Sequence, residues 1–473
     1  MSKQPELVVL GAGPAGIGAA LSAAAVGVDT LVVDRASSGG GQVYRARPSE
    51  FTASDDAPQV GDVLRAALDA SAARVAFSHR VWCVGSDFRI DALGPNGPVN
   101  WRPKAIVVAV GTTERVIPFP GWTLPGVIGL AAATLLLKSQ AMLPGERTVV
   151  AGAGPLLGAV AGAIIKGGGR VEAVVDLSSR GEWARAASSL LARPADLVRG
   201  IGWLRDVARA GTPILNRHAV SEVCSEEEEL RISVVPIDAE GRRRPGGLTR
   251  VFSADSLAVG NGLVPATEIT RLLGADHEFD TTTGAWVPSR DNELRTSIDQ
   301  LYAVGDGAGV TGAHAAQLEG RVAGLTVARD LGHLDDAAFR RLAAPYKRRL
   351  GLAALAGRRM AELMVPRDGQ IDAIGLDTVV CRCEDVSRGE LENALDQGAA
   401  NLDQLKSWTR CGMGPCQGRM CGDTVGAIVG RRVGGRVKAG MWSARPPLMT
   451  VPLEELTGQF AYEDIAIPEA APL

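Results

Sequence analysis

Two glycine-rich turns, each set between an apolar strand and an alanine-rich helix, constrain this chain more than any other feature. The first follows Leu7-Val8-Val9-Leu10 and reads Gly11-Ala12-Gly13-Pro14-Ala15-Gly16, with a second apolar strand, Thr30 to Val33, ending at Asp34-Arg35. Gly11 permits the tight turn, Gly13 lets backbone amides approach a pyrophosphate, and Gly16 lets helix and strand pack closely. The helix N-terminus adds partial positive charge for the anion. A carboxylate at Asp34 can accept hydrogen bonds from both hydroxyls of a ribose and would repel a 2′-phosphate. The second unit begins at Thr148 and reads Gly152-Ala153-Gly154-Pro155-Leu156-Leu157-Gly158; its next strand, Val171 to Val175, ends at Asp176. Its third glycine falls one place late, which leaves NAD, another nucleotide or no ligand as its reading.

Two more apolar strands end in glycine. Ile106 to Val110 runs into Gly111-Thr112, and Leu301 to Val304 runs into Gly305-Asp306. A further run, Gly39-Gly40-Gly41-Gln42, follows the first unit. In this order the pieces resemble the signatures of the glutathione-reductase-like flavoproteins, from about residue 5 to 335. The resemblance implies FAD in the first unit. Its cofactor-binding residues would be Gly11, Gly13, Pro14, Ala15, Gly16, Asp34, Arg35, Gly41, Gln42, Val81, Gly111, Thr112, Gly305 and Asp306, with Asp306 at the flavin ribityl and pyrophosphate. The second nucleotide site would use Gly152, Gly154, Gly158 and Asp176. It also implies a flavin domain split by an insert, 1–113 and 260–335 around a second Rossmann-like domain at 114–259.

Composition narrows the function classes. A length of 473 residues predicts roughly three domains. A net charge of −3 and 4% aromatic content give neither a cationic field nor a stacking platform, so no nucleic-acid partner is expected. The N-terminus lacks the pattern of a secretory signal. The longest apolar stretch, Thr148 to Ile165, is broken by the glycines of the second unit and reads as a nucleotide turn, not a transmembrane segment. The expectation is a cytoplasmic protein, with peripheral attachment at the inner membrane face as its extension. Four acids, Glu226 to Glu229, read as a hairpin tip or solvated loop; arginines and lysines between about 336 and 365 read as an exposed helix face.

Seven cysteines are an odd number, and five of them lie between Cys381 and Cys421. Without an export signal this crowding reads as a metal or cluster site. Cys381-Arg382-Cys383 precedes a helix with a capping box at Ser387 and Glu390; a second short helix from about Leu402 carries Asn401 and Gln404 in the same relation. Then come Thr409-Arg410-Cys411-Gly412-Met413-Gly414-Pro415-Cys416 and, after Gln417-Gly418-Arg419-Met420, Cys421. An iron–sulfur cluster needs four converging thiolates with backbone amides aimed at sulfur, which the glycines would allow; a four-cysteine zinc site has similar arithmetic. Arg382 and Arg410 could offset the negative charge of a cluster. A pair of cysteines five apart cannot share one helix face, so Cys416 belongs in the loop before the helix. Spacing leaves both Cys411 and Cys421 open as the fourth ligand. Cys83 and Cys224 read as isolated core residues, and no CxxC lies beside either nucleotide unit, which excludes thiol–disulfide chemistry of the thioredoxin-reductase kind.

The cysteine pattern resembles the bacterioferritin-associated-ferredoxin (BFD)-like [2Fe–2S] domain. The closest form is that fused to the flavo-iron–sulfur (A- or α-type) subunits of opine oxidase, hydroxyproline dehydrogenase and hydrogen cyanide synthase. That resemblance implies Cys381, Cys383, Cys416 and Cys421 as metal ligands. The fold class expected is thus α/β, a two-dinucleotide-binding-domain flavoprotein with a small helical [2Fe–2S] domain at 376–430, reached through a helical linker at 336–375. An extended tail at 431–473 would follow. It also implies an electron-transfer subunit of an amine or amino-acid dehydrogenase. The partners would be a D-amino-acid-oxidase-like flavoprotein subunit, a small third subunit, and a quinone-type acceptor. A self-sufficient NAD(P)H-dependent reductase is the alternative. The residues identify no general base and no substrate.

Overall fold

The computed structural model describes residues 4–46, 59–227 and 229–456. Its first sheet has five parallel strands in the order Leu301–Ala303, Ala105–Val108, Leu7–Leu10, Thr30–Val33 and Arg74–Ala76. Every residue of Leu7–Leu10, Thr30–Val33 and Ala105–Val108 is buried. Continuous apolar runs of this kind are what a parallel sheet covered on both faces requires. Helices Pro14–Ala24 and Ala313–Asp330 cover one face, and an antiparallel meander of Arg80–Val84, Ile90–Gly94 and Gly97–Trp101 lies on the other side.

The chain leaves this sheet through Thr112–Glu114 and returns through Leu263–Pro265, and these two strands pair antiparallel. Between them a second five-stranded parallel sheet forms, in the order Ile214–Asn216, Arg170–Asp176, Arg147–Gly152, Ser256–Gly260, Val127–Gly129. The antiparallel strands His218–Glu226, Glu229–Pro236 and Arg250–Ala254 pack on it, with Glu226 paired to Glu229 at the hairpin end. Cys224 is exposed and Cys83 is half-buried, so neither is the core residue expected. In the strand His218–Glu226 only Val223 is buried, and the neighbouring position takes the opposite face.

Glu114 marks the entry to the insert. Its carboxylate accepts the amide of Ala131 in the first turn of helix Leu130–Ser139, and burial pushes its pKa up to about 7. A raised carboxyl pKa means the fold prefers the protonated form. This contribution to stability is therefore complete below about pH 4.5 and is lost as pH rises through about 7, a difference of about 3 kcal/mol. Glu114→Gln is expected to remove that slope, measured as a smaller fall in Tm between pH 5 and pH 8 than in the parent protein.

A helix of 27 residues, Asp336–Glu362, packs along Ala313–Asp330 and presents an arginine-rich outer face. It leads through Asp368–Asp372 to a small helical unit built of Arg388–Asp396, Leu402–Thr409 and Gly422–Val433. The capping boxes form as the sequence indicates: Ser387 Oγ accepts the amide of Glu390, and Asn401 Oδ1 accepts that of Gln404. The tail is less extended than expected, since a further helix spans Arg436–Ala439; residues 457–473 lie outside the described residues. Among the described residues no helix is long and apolar enough to cross a membrane.

Candidate functional site

The first glycine turn joins the carboxyl end of strand Leu7–Leu10 to the N-terminus of helix Pro14–Ala24. Gly11 has φ +104°, and a Cβ there would stand 2.5 Å from Ala109 O; a Cβ on Gly16 would stand 1.7 Å from Gly11 O. Gly13 is the N-cap of helix Pro14–Ala24 and has no side chain to satisfy the first-turn amides, which stay available to an anion. Asp34 accepts hydrogen bonds from the amides of Ala12 (2.6 Å) and Ala36 (2.7 Å). The loop Gly39–Gly41 lies across the same helix N-terminus: Gly40 N donates to Ala12 O, and a Cβ on Gly41 would be 2.9 Å from Gly13 Cα. Gly305 abuts Ala15, and Gly307 packs against the backbone of Gly111, which leads into Thr112. Asp306 Oδ1 accepts the amides of Thr311 (2.9 Å) and Gly312 (2.8 Å), while Oδ2 has no partner among the described residues; burial raises its pKa.

Gly11 to Gly16, Asp34, Gly41, Gly111, Gly305 and Asp306 therefore converge around one helix N-terminus. Of the remaining expected residues, Arg35 and Gln42 directly follow Asp34 and Gly41 and are exposed, Thr112 opens strand Thr112–Glu114 after Gly111, and Val81 pairs with Ala92 in the meander that starts beside Asp34. Two positioning residues had no local signal. Arg65 donates to Gly39 O and Tyr44 O and so holds the glycine loop. Glu319, buried in helix Ala313–Asp330, pairs with Arg290 (2.9 Å) and accepts the amide of Gly305 (2.7 Å). An acid inside an Ala/Gly/Val-rich helix was the one clue to it.

The second unit is built differently. A Cβ on Gly154 would be 2.6 Å from Met364 Cγ, and one on Gly158 would be 3.6 Å from Trp203 Cβ. Asp176 is buried; it accepts the amide of Ser178 (2.8 Å) and the indole N–H of Trp183 (2.5 Å). The structure brings these four residues to the end of one sheet but surrounds them with protein.

All five clustered cysteines come together. The Sγ atoms of Cys381, Cys411 and Cys421 lie within 4.8 Å of one another, buried. Cys383 and Cys416 form an adjacent, less buried hydrogen-bonded pair. Cys416 sits in the loop and Cys421 is the N-cap of helix Gly422–Val433. Amides are aimed at sulfur: Gly412 N approaches Cys381 Sγ at 3.5 Å, and Cys383 accepts the amide of Cys416. Hydrogen bonds from Cys411, then Cys421, hold Cys381 far below the ordinary thiol range, so a thiolate is preferred there. An all-thiol donor set with converging N–H groups fits a four-thiolate iron–sulfur cluster. The expected ligands Cys381, Cys383, Cys416 and Cys421 are all present, and Cys411 and Cys421 both lie within that same 4.8 Å of Cys381. Neither expected arginine is a free counter-charge: Arg410 pairs with Glu384 (2.9 Å), and Arg382 lies over the Trp122 ring.

The cysteine unit is fastened by polar contacts both to the start of the insert and to the flavin-type unit. Arg115, with 1% of its side chain exposed, pairs with Asp423 (2.7 Å), which also holds Arg436 (2.8 Å). Trp122 Nε1 donates to Val379 O (2.7 Å) and Arg419 pairs with Glu268 (3.0 Å). Trp442 packs over Gly412, Gly418 and Gly422, and its backbone O accepts from Arg271 (2.7 Å). Beside these contacts lies a cavity of 510 Å³, bounded by Thr113, Val264, Arg271, Gly412, Gln417 and Trp442 among others.

Residues 5–320 match the family "Pyridine nucleotide-disulphide oxidoreductase". The chain belongs to that family. Residues 379–431 of this oxidoreductase match the "BFD-like [2Fe-2S] binding domain". It is 32% identical to the A-type subunit of opine oxidase from Rhizobium meliloti, over 95% of this chain and 98% of that protein. It is 33% identical to the HcnB subunit of hydrogen cyanide synthase from Pseudomonas aeruginosa, over 94% and 97% of the two chains. With these subunits it forms one family, in which a flavin unit and a [2Fe–2S] domain share a single chain. The fold is also that of L-proline dehydrogenase from P. horikoshii (TM-score 0.68, 19% identity, 96% of this chain and 79% of that chain). The oxidoreductase thus carries FAD, and a [2Fe–2S] cluster in its cysteine domain.

Proposed function

We propose that this oxidoreductase is the electron-transfer subunit of a hetero-oligomeric amine or amino-acid dehydrogenase acting on CH–NH or CH–NH2 donors. A separate D-amino-acid-oxidase-like flavoprotein subunit would oxidise the carbon–nitrogen bond, a small third subunit would complete the assembly, and the electrons would leave to a quinone-type acceptor at the inner membrane face. The observation that carries the reading is the docking of the five-cysteine domain against the flavin unit, through the Arg419–Glu268 pair and the hydrogen bond from Arg271 to Trp442 O, with the buried Arg115–Asp423 pair holding it at the crossing into the insert. FAD exchanges an electron pair and a [2Fe–2S] cluster exchanges single electrons, so the two groups together supply conversion between those modes.

The chain's own residues support a relay more than substrate oxidation. Gly13, Asp34 and Asp306 would hold the dinucleotide, with Arg65 and Glu319 fixing the loops around it. Cys381, Cys383, Cys416 and Cys421 would hold the cluster. His79, His218, His277 and His333 are each hydrogen-bonded within the chain, and burial lowers the pKa of His314. None of the five histidines lines the cavity beside the cysteine domain. The relatives' names describe them as subunits, which supports a multi-subunit assembly.

The test is an anaerobic visible titration of the co-purified complex, first with NADH and then with opines and proline derivatives. Bleaching by an amino-acid substrate but not NADH is the expected result. Bleaching of the isolated chain by NADH would replace this reading with a reductase, and amine oxidation by the isolated chain would end the division of labour.

A further inference from the structure

Dinucleotides bind open parallel sheets at the carboxyl ends of the strands, where the strand order reverses. In the second sheet that crevice lies between Arg147–Gly152 and Ser256–Gly260, the strands to either side of which run in opposite directions through the order. We propose that the linker segment Met364–Gln370 fills this crevice, so that the second glycine unit is a socket for the chain itself and takes no dinucleotide.

Met364 occupies the pyrophosphate position. The second glycine of the loop, Gly154 (φ +87°), would ordinarily leave room for phosphate oxygens; here an added Cβ would meet Met364 Cγ at 2.6 Å and Sδ at 2.7 Å. On the opposite wall a Cβ at Gly262 would meet Met364 Cβ at 2.5 Å. Two bare backbone positions thus grip one side chain from both sides. The methionine is fixed in turn, since its backbone O accepts from Arg115 Nη1 at 2.8 Å.

The rest of the segment continues along the sheet end. Gln370 Nε2 donates to Asn261 Oδ1 (3.0 Å), and Arg367 donates to Ala239 O (2.6 Å) and Glu182 Oε1 (3.1 Å). Gly369 N donates to Glu240 O (2.7 Å). At the ribose position Asp176 already has the amide of Ser178 and the indole of Trp183 as donors, and its burial is that of a structural group. The late third glycine has a packing role too. Gly158 and Gly162, one helical turn apart, both lie against Trp203 of helix Pro194–Arg209, at 3.6 and 3.2 Å for an added Cβ. Helix and linker thus both pack against the motif's small residues. The socket holds the linker at the point where it passes from the long helix to the cysteine domain, and so sets where that domain sits.

The inference does not depend on the relay reading, and its test reads binding and stability. With the full flavin- and cluster-loaded chain, calorimetric titration with NAD+, NADH and ATP at millimolar concentration should show no saturable binding; saturable binding of any of them would overturn the proposal. A double-mutant comparison tests the contact itself. Gly154→Ala should lower Tm in the parent chain, and by less in a Met364→Ala background, where the new methyl group finds space. The strain of the positive φ is common to both backgrounds and cancels. Equal losses in the two would equally overturn the proposal.

Discussion

Cys381→Ser is expected to abolish the visible iron–sulfur absorption and the bound iron while leaving FAD in place. Cys381 is the thiol that the site most strongly prefers as thiolate, and it is joined by Cys411, Cys421 and the amide of Gly412. In the assembled complex, transfer from substrate to a one-electron acceptor should fall by more than about 100-fold, the upper end of what changes merely adjacent to a metal ligand produce. Iron content, the visible spectrum and electron paramagnetic resonance of the reduced protein read the effect. The cysteines then separate. Cys421→Ser should lose the cluster and Cys411→Ser should keep it if Cys421 is the fourth ligand, as the sequence resemblance implies; the reverse outcome would give that role to Cys411. Retention of iron by Cys381→Ser would remove the cluster assignment from this loop.

What the sequence made legible is what local periodicity and turn chemistry encode. Leu7–Leu10 and Ala105–Val108 are read as buried parallel strands because every residue in them is apolar, and the glycine turns follow from strand and helix on either side. Ser387 and Asn401 announce their helices by capping chemistry confined to a few residues. The Arg115–Asp423 pair, Trp442 over the cysteine-loop glycines, and Met364 over Gly154 join positions far apart in the chain, and no period in the sequence marks either partner. Met364 is the instructive case. The glycine motif specifies a backbone that something approaches closely, and the sequence alone does not say whether that is a phosphate or a methionine. Cys224 fails for a simpler reason: in a half-exposed strand a shift of one residue exchanges the two faces.

Asp423→Ala is expected to be the most destabilising single substitution outside the cysteine loop and the glycine turns. Arg115 is shut away from water at the crossing into the insert; Asp423 is its carboxylate partner, and backbone oxygens of Met364, Thr283 and Gly284 supply the rest of its hydrogen bonds. The same carboxylate holds Arg436, whose guanidinium pKa burial already lowers. Removing one partner of a buried pair leaves the other charge desolvated and costs about 3–5 kcal/mol, and here two guanidiniums lose the same acid. An exposed pair offers the contrast: Glu226→Ala, which frees Arg231 at a hairpin tip, should leave the unfolding midpoint almost unchanged. Denaturant unfolding of the two variants measures both. Asp423 stands in the first turn of the helix that follows Cys421, and Arg115 stands on the strand-to-insert crossing. Its loss should therefore loosen the cysteine domain before the flavin domain. On heating, the iron–sulfur absorption of Asp423→Ala should decay at a lower temperature than the release of FAD, whereas the two should coincide in the parent protein if the buried pair is what makes them one cooperative unit.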